Sequence, residues 1–400
     1  MRISTSMLNQ SAVNGILQDE TALSNTQNQL SSGKSVNTPA DNPVAAVQLL
    51  QLNNTNSQYQ QYISNGQSAN TNMSLEEQAL SSSTSTLQSI RDLVVQANSA
   101  SNNSSDLQNI ATQISALESQ LLGTANSQNA QGEYLFAGYS TGTQPFVRGS
   151  SGAMTYVGDS GAKSVQLNSG TSVQTGDPGS AVYMNVPTGN GTFTTAATPT
   201  NAGTGVVDSG SVTNPSVWVR GQYTIKFTDA TDYTVTNGAG ATVASGTYNS
   251  ANGGEIAFDG IQVGITGAPA AGDTFTVSPS TTQSVFSTLD KLVSSLNNAG
   301  SSPAGRAQLS SALGGSLQQL DQALNQVSNV TTNVGSRISL ISSVNNSLTS
   351  ASTTVSTQIS SLSGLDYAAA TSQYSQEYVA LQAAEQSYAD INQLSLFKYL

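Results

Sequence analysis

LSSALGGSLQQLDQALNQVSNVTTNVGSRISLISSVNNSLTSASTTVSTQISSL, residues 309–362, carries apolar side chains at steps of three and four. They run Leu309, Leu313, Leu317, Leu320, Leu324 and Val327, then Val334, Ile338, Ile341, Leu348, Val355, Ile359 and Leu362. That spacing lays one narrow apolar stripe along a helix. Unbroken, these 54 residues make a helix of about 80 Å at ~1.5 Å per residue. A stripe so long and narrow needs a partner helix to cover it. Toward the N-terminus, Leu107, Ile110, Ile114, Leu117 and Leu121 alternate steps of 3 and 4, and Ile16, Leu23 and Leu30 are spaced by sevens. Helical ladders therefore stand at both ends of the chain.

The middle has a different period. Residues 141–280 hold 23 of the 35 glycines and 7 of the 10 prolines, which long helices avoid. Tyr223, Ile225 and Phe227 alternate with Thr224, Lys226 and Thr228, as in a half-buried strand. Tyr233 and Val235 repeat the pattern before Asn237-Gly238, and Ile256 and Phe258 lead through Asp259-Gly260 to Ile261, Val263 and Ile265. Asn-Gly and Asp-Gly between alternating runs predict type I′ hairpins, whose two central residues both need positive φ. Trp218 is expected in or near the core of this β domain. The fold class expected is multidomain α+β: long N- and C-terminal helices paired as a coiled coil or helical bundle, with an inserted antiparallel β domain. The expected divisions are terminal coiled-coil helices at 1–35 with 366–400, a helical rod at 36–140 with 281–365, and the β domain at 141–280.

One break interrupts the N-terminal helices. Gly33 suits a left-handed helix end, Asn42 an N-cap and Pro43 a first helical position, with Asp41 expected near the positive end of the helix dipole. Helices then continue to about Gln131.

Composition excludes much chemistry. The 400 residues contain no Cys and no His, which removes disulfides, thiol nucleophiles, histidine bases and His or Cys zinc sites. Eleven basic residues face 23 acidic ones, and no segment gathers a basic stripe, so neither nucleic acid nor anionic lipid is an expected partner. No apolar run reaches the ~20 residues of a membrane span, and Met1–Met7 lack the apolar region of a cleaved signal peptide. Glu76-Glu77 reads as a solvated helix face. Asp229 and Asp232 flank a turn without a calcium-loop spacing. No catalytic, metal or cofactor site is expected.

Three stretches resemble one family, the flagellar hook-associated protein 3 or hook–filament junction proteins, relatives of flagellin. They are MRISTSML with QLSSGKSVNTPADNPVAA (Gln29–Ala46), GEYLFAGYSTGTQPF (Gly132–Phe146), and LDYAAATSQYSQEYVALQAAEQSYADINQLSLFKYL (Leu365–Leu400). VGSRISLI (Val334–Ile341) and GDTFTV (Gly272–Val277) fit as well, while Lys398 departs from the family pattern. The resemblance implies terminal helices paired near the axis of a tubular flagellum, a second helical layer, and a projecting β domain. It also implies a homo-oligomeric ring, a hook-associated protein on one side, flagellin on the other, and a flagellar export chaperone at the C-terminal region. Export through the type III apparatus without a cleaved signal would place the protein outside the cell, in the flagellum.

On this resemblance Ile16, Leu23 and Leu30 are expected to face Tyr374, Tyr378, Leu381, Tyr388, Ile391 and Leu394, with Phe397 in the same assembly stripe. The extreme ends, about 1–30 and 370–400, are expected to order on assembly. Gly33, Pro39, Asp41, Asn42 and Pro43 form the family loop. Tyr134, Leu135, Phe136, Gly138, Pro145 and Phe146 form a corner between the helical rod and the β domain. Two rival functions are a flagellin filament subunit and a surface adhesin binding carbohydrate through Tyr156, Tyr183, Trp218, Tyr233 or Tyr248.

Overall fold

The computed structural model describes residues 5–150 and 152–393. It contains six α-helices among those residues: α1 (Thr5–Ser32), α2 (Pro43–Ala97), α3 (Ser104–Ala125), α4 (Val285–Asn297), α5 (Pro303–Ser363) and α6 (Tyr367–Gln393). The chain divides into two compact units, Met1–Asn65 with Val344–Leu400 and Gly66–Ser343. The divisions fall inside α2 and α5, so residues 36–65 and 344–365 group with the terminal helices.

The ladder of α5 resolves into rows of seven. Leu313, Leu320, Val327, Val334, Ile341, Leu348 and Val355 are all buried, with Leu317, Leu324, Ile338 and Ile359 half-buried beside them. The helix is otherwise rich in Ser, Thr and Asn, whose side chains compete for backbone hydrogen bonds. Here many bond within the helix: the hydroxyls of Thr349, Thr353 and Thr357 donate to carbonyls four residues back at 2.8, 2.9 and 3.0 Å. Such helices depend on their buried stripe, at roughly 1.5–3 kcal/mol per fully buried Leu or Ile.

In the first unit α1 packs along α6. Gly33 ends α1 at φ +69°, its N–H donating to the Gln29 carbonyl at 2.8 Å. The chain then pairs with the break before α6: Ser35 N–H donates to the Ser363 carbonyl at 2.8 Å, and Leu365 N–H to that of Gly33 at 3.3 Å. Asn42 Oδ1 accepts from Ala45 N–H at 3.0 Å and caps α2. Asp41 lies two residues before the first residue of α2. Its Oδ2 accepts the backbone N–H groups of Thr38 and Asn37 at 2.7 and 2.9 Å, which shapes the loop and holds its carboxyl below the ordinary value.

In the second unit, Leu80, Leu87, Ile90 and Val94 of α2 are buried, as are Ile110, Ile114 and Leu121 of α3 and Leu289 and Leu292 of α4. Two small hairpins follow α3, Phe146–Arg148 with Met154–Tyr156 and Ser164–Asn168 with Thr171–Gln174. Beyond them lie a two-residue pair, Val186–Pro187 with Thr282–Gln283, and two larger antiparallel sheets. One has five strands in the order Thr242–Thr247, Asp232–Asn237, Tyr223–Phe227, Thr274–Pro279, Phe193–Ala197. The other pairs Gly254–Phe258 with Ile261–Thr266, which also binds two short strands, Val206–Val207 and Ser211–Val212. They share one core: Tyr223, Ile225, Phe227 and Phe275 of the first pack in a cluster with Ile256, Phe258, Val263 and Ile265 of the second, and Trp218 lies half-buried against it. The 141–280 stretch is mostly β, with one short helical turn at Ser180–Met184, and its large core begins only at Phe193.

The two hairpin signals have different outcomes. Asp259 (φ 43°) and Gly260 (φ 80°) both take positive φ, as a type I′ turn requires. At Asn237-Gly238 the loop is longer, and Gly240 rather than Gly238 takes positive φ. Asn237 Oδ1 accepts from the N–H groups of Ala239 and Ala241 at 3.1 and 3.0 Å, so its side chain organises the wider turn.

Candidate assembly surfaces

In α1, Ile16, Leu23 and Leu30 are half-buried, interleaved with Ala12, Asp19 and the buried Thr26. In α6 the inner face is Ala370, Tyr374, Glu377, Leu381, Ala384 and Tyr388, again at steps of four and three. Tyr378 does not belong to it. It is 47% exposed and stacks on Tyr374 with ring centroids 6.5 Å apart, because after the step of four from Ala370 to Tyr374 the inner face continues by three, to Glu377, and a second step of four overshoots it. Leu394 and Phe397 lie outside the described residues, as does the side chain of Ile391.

This helix pair leaves much apolar surface open. Met7, Leu8 and Leu17 of α1, Tyr367, Tyr378 and Val379 of α6, and Val44, Val47 and Leu50 of α2 are all exposed, the last three by 69, 66 and 64%. An open groove of about 480 Å³ runs past Leu52 and Leu362, rimmed by Gln48, Gln51, Thr357, Gln358 and Ser361. Val44, Val47 and Leu50 recur at steps of three along α2. In the family loop, Pro39, Asp41, Asn42 and Pro43 are exposed and Gly33 half-buried.

The corner residues come together in the second unit. Phe136 and Phe146 are fully buried, and each meets Tyr183 edge-on at 5.6 and 5.5 Å between centroids. Phe286 of α4 completes the cluster at 5.4 Å from Phe146. Such edge-to-face pairs add about 0.5–1.5 kcal/mol each beyond area burial. Pro145 is buried beside Phe146, and Tyr134 and Leu135 are half-buried. Gly138 takes φ +69°, and a Cβ there would stand 2.4 Å from the Asp159 carbonyl oxygen, so only glycine fits. Asp159 Oδ1 accepts Tyr139 and Gly161 N–H at 3.0 and 2.8 Å, which draws its carboxyl below the usual value. Tyr156 donates to the Asp159 carbonyl at 2.7 Å.

Glu76 overturns the expectation of a solvated face. Glu77 is exposed, but Glu76 is 1% exposed, its Oε1 accepting Asp177 N–H at 3.0 Å. Asp177 in turn takes Arg337 Nη2 on both carboxylate oxygens at 2.9 and 2.8 Å. Residues 101 and 160 apart in sequence are involved, which no local pattern reveals. A second buried carboxylate, Glu118 of α3, pairs with Arg148, which also reaches Asp290 at 3.1 Å. Burial holds the Glu118 acid above its ordinary value.

The other candidate groups have structural partners. Asp229 Oδ1 accepts Thr231 and Asp232 N–H at 2.7 and 2.9 Å and thereby closes its turn. Tyr183 and Tyr248 are buried, and Tyr156, Trp218 and Tyr233 are half-buried. None of the five forms an exposed aromatic platform. No group of three acidic side chains among the described residues is placed to hold a metal, and no helix there is long and apolar enough to cross a membrane.

The chain matches known proteins along most of its length. Residues 3–141 match the bacterial flagellin N-terminal helical region and residues 317–400 its C-terminal helical region. Residues 196–279 match the D2-like domain of flagellar hook-associated protein 1. Over 186 residues the chain is 31% identical to flagellar hook-associated protein 3 of Salmonella typhimurium and 33% identical to that of Escherichia coli. Those alignments cover 46% of this chain and 58% of each relative, so the chain spans little more than half the length of the curated relatives it matches. The crystal structure of Xanthomonas campestris FlgL is 33% identical, with a TM-score of 0.71 over 76% of this chain and 97% of that one. The flagellar junction protein FlgL from Legionella pneumophila is 30% identical, with a TM-score of 0.72 over 78% of this chain and 100% of that one.

Proposed function

The chain belongs to the family of flagellar hook-associated protein 3, and on that premise we propose that it is a structural adaptor joining the flagellar hook to the flagellin filament. Copies assemble through the terminal helices into a ring. One side meets a hook-associated protein and the other meets flagellin. The role is mechanical and needs no cofactor. The chain reaches this place by type III export without a cleaved signal, escorted by a chaperone that binds its C-terminal region.

The observation that carries this reading is the open apolar surface of the first unit. Its helix pair has a seam of half-buried Ile16, Leu23, Leu30, Tyr374, Leu381 and Tyr388, and further apolar rows face outward. Neighbouring copies would bury those rows, and α1 and α6 would gain order as they do so. The corner around Phe136, Gly138 and Phe146 then holds the β region at a set angle to the helices it packs on.

A second reading, a flagellin filament subunit, draws on the matches to both flagellin terminal regions. The D2-like match to a hook-associated protein, and the identity to FlgL over almost the whole of a solved chain, favour the junction. Deleting the gene in the bacterium that encodes it tests the choice. A junction adaptor leaves hooks built, filaments unattached and flagellin in the medium. Normal filaments in the deletion strain would contradict the adaptor role, and loss of the filament's bulk protein would make the chain a flagellin.

A further inference from the structure

Glu76, Asp177 and Arg337 are the most deeply buried charged cluster that the assembly role leaves unused. Two carboxylates share one guanidinium. Arg337 commits its Nη2 to Asp177, at 2.9 and 2.8 Å, and its buried Nη1 has no partner. Glu76 Oε1 accepts only the Asp177 N–H, and its Oε2 is buried with no hydrogen-bond partner. With both carboxylates ionised the cluster holds an excess negative charge inside the protein. One proton cancels it.

We propose that this cluster is a proton-loaded latch: folding of the second unit takes up one proton at Glu76, and the neutral acid lets Asp177 and Arg337 clamp the segment around Gly176 between α2 and α5. The groups that face Glu76 are few. Asp177 comes from the connecting segment, Arg337 from α5, and the Tyr183 hydroxyl is held by Ser83 of α2 at 2.7 Å. Beyond Asp177 a cavity of about 40 Å³ is lined by Glu133 and Lys163, which are paired with each other at 3.0 Å. Among the described residues the cation that acts on Glu76 is therefore Arg337, already engaged by Asp177. Burial first, and the Asp177 carboxylate second, push the Glu76 acid up to about 8.

The sign follows from linkage. The folded chain holds a proton that the unfolded chain releases above the ordinary value of 4.5. The contribution is complete below that value, declines between it and about 8, and is gone above. Within that window the folding constant falls by up to about tenfold per pH unit through this one group. The segment that loosens leads to Tyr183, so alkaline solution should weaken the aromatic cluster as well.

The test uses the full chain, whose single Trp218 lies in the second unit and reports its unfolding. Urea unfolding is measured between pH 5 and 8 for the wild type, Glu76→Gln and the exposed control Glu77→Gln. The latch predicts a steeper loss of stability with pH in the wild type and in Glu77→Gln, by about one proton, than in Glu76→Gln. Equal slopes in all three overturn it. Should Glu76→Gln fail to fold, carbon-13 NMR titration of the wild-type glutamate carboxyls decides. Glu76 titrating well above the other glutamates supports the latch, and a Glu76 signal in the ordinary carboxylate range removes it.

Discussion

Gly33 lies so close to Tyr367 that a Cβ at position 33 would stand 2.8 Å from the tyrosine hydroxyl oxygen. The same glycine has φ +69° and donates the hydrogen bond that ends α1. Two demands therefore meet where the chain leaves one terminal helix beside the start of the other. Gly33→Ala should cost about 1–2 kcal/mol, most of it from the left-handed backbone, because the exposed Tyr367 side chain can move aside. Far-UV circular dichroism during heating would show it as earlier loss of helix.

Leu381→Asp places a carboxylate in a seam that already holds Asp19 and Glu377 half-buried, with no base among the described residues of α1 or α6. The expected cost is roughly 2–3 kcal/mol to the helix pair, and self-association should disappear. Trp218 fluorescence should report an unchanged second unit. Tyr378→Asp is the companion measurement: on an exposed position it should move stability by less than about 0.5 kcal/mol. Equal effects of the two substitutions would contradict the register assigned to α6.

At the Asp259-Gly260 turn, a Cβ on residue 260 would stand 2.3 Å from the Asn214 carbonyl oxygen, and φ is +80°. Gly260→Ala should therefore destabilise the β region by more than about 2 kcal/mol. Asp259→Gly removes the strain of φ 43° at a non-glycine residue and should be tolerated. Urea unfolding followed through Trp218 separates these two outcomes.

Arg148 neutralises Glu118, which is 5% exposed, while the arginine itself is largely open to water. Arg148→Met should cost about 1–3 kcal/mol near neutral pH, below the range for a fully buried pair. Without the guanidinium the Glu118 acid, already raised by burial and by Asp290, rises further. A raised acid stabilises the protonated folded form, so the loss should shrink at about pH 4 and grow toward about pH 8. Stability curves of both proteins at the two pH values check the sign.

Much of this architecture is legible in the sequence because burial repeats in steps. The α5 ladder, the alternation of Tyr223, Ile225 and Phe227, and the Gly33 and Asn42 ends of their helices follow from local periodicity and capping chemistry. What was not legible depends on distant partners or on register. Glu76 is buried by a segment around residue 177, and nothing in α2 signals it. Tyr378 looks apolar enough for the seam, yet the interval of seven linking Tyr374, Leu381 and Tyr388 passes it by. Asp41 also ties down its loop through the Asn37 and Thr38 N–H groups, and the strand pairing of Asp232–Asn237 with Thr242–Thr247 sets a wider turn than Asn-Gly alone implies.

The adaptor role is tested most directly by electron microscopy of the purified chain added to isolated hooks, with and without flagellin. An adaptor forms a short collar of fixed length on the hook tip, onto which flagellin then grows a filament. Long filaments from this chain alone, or hooks left bare with flagellin unable to attach, would contradict it.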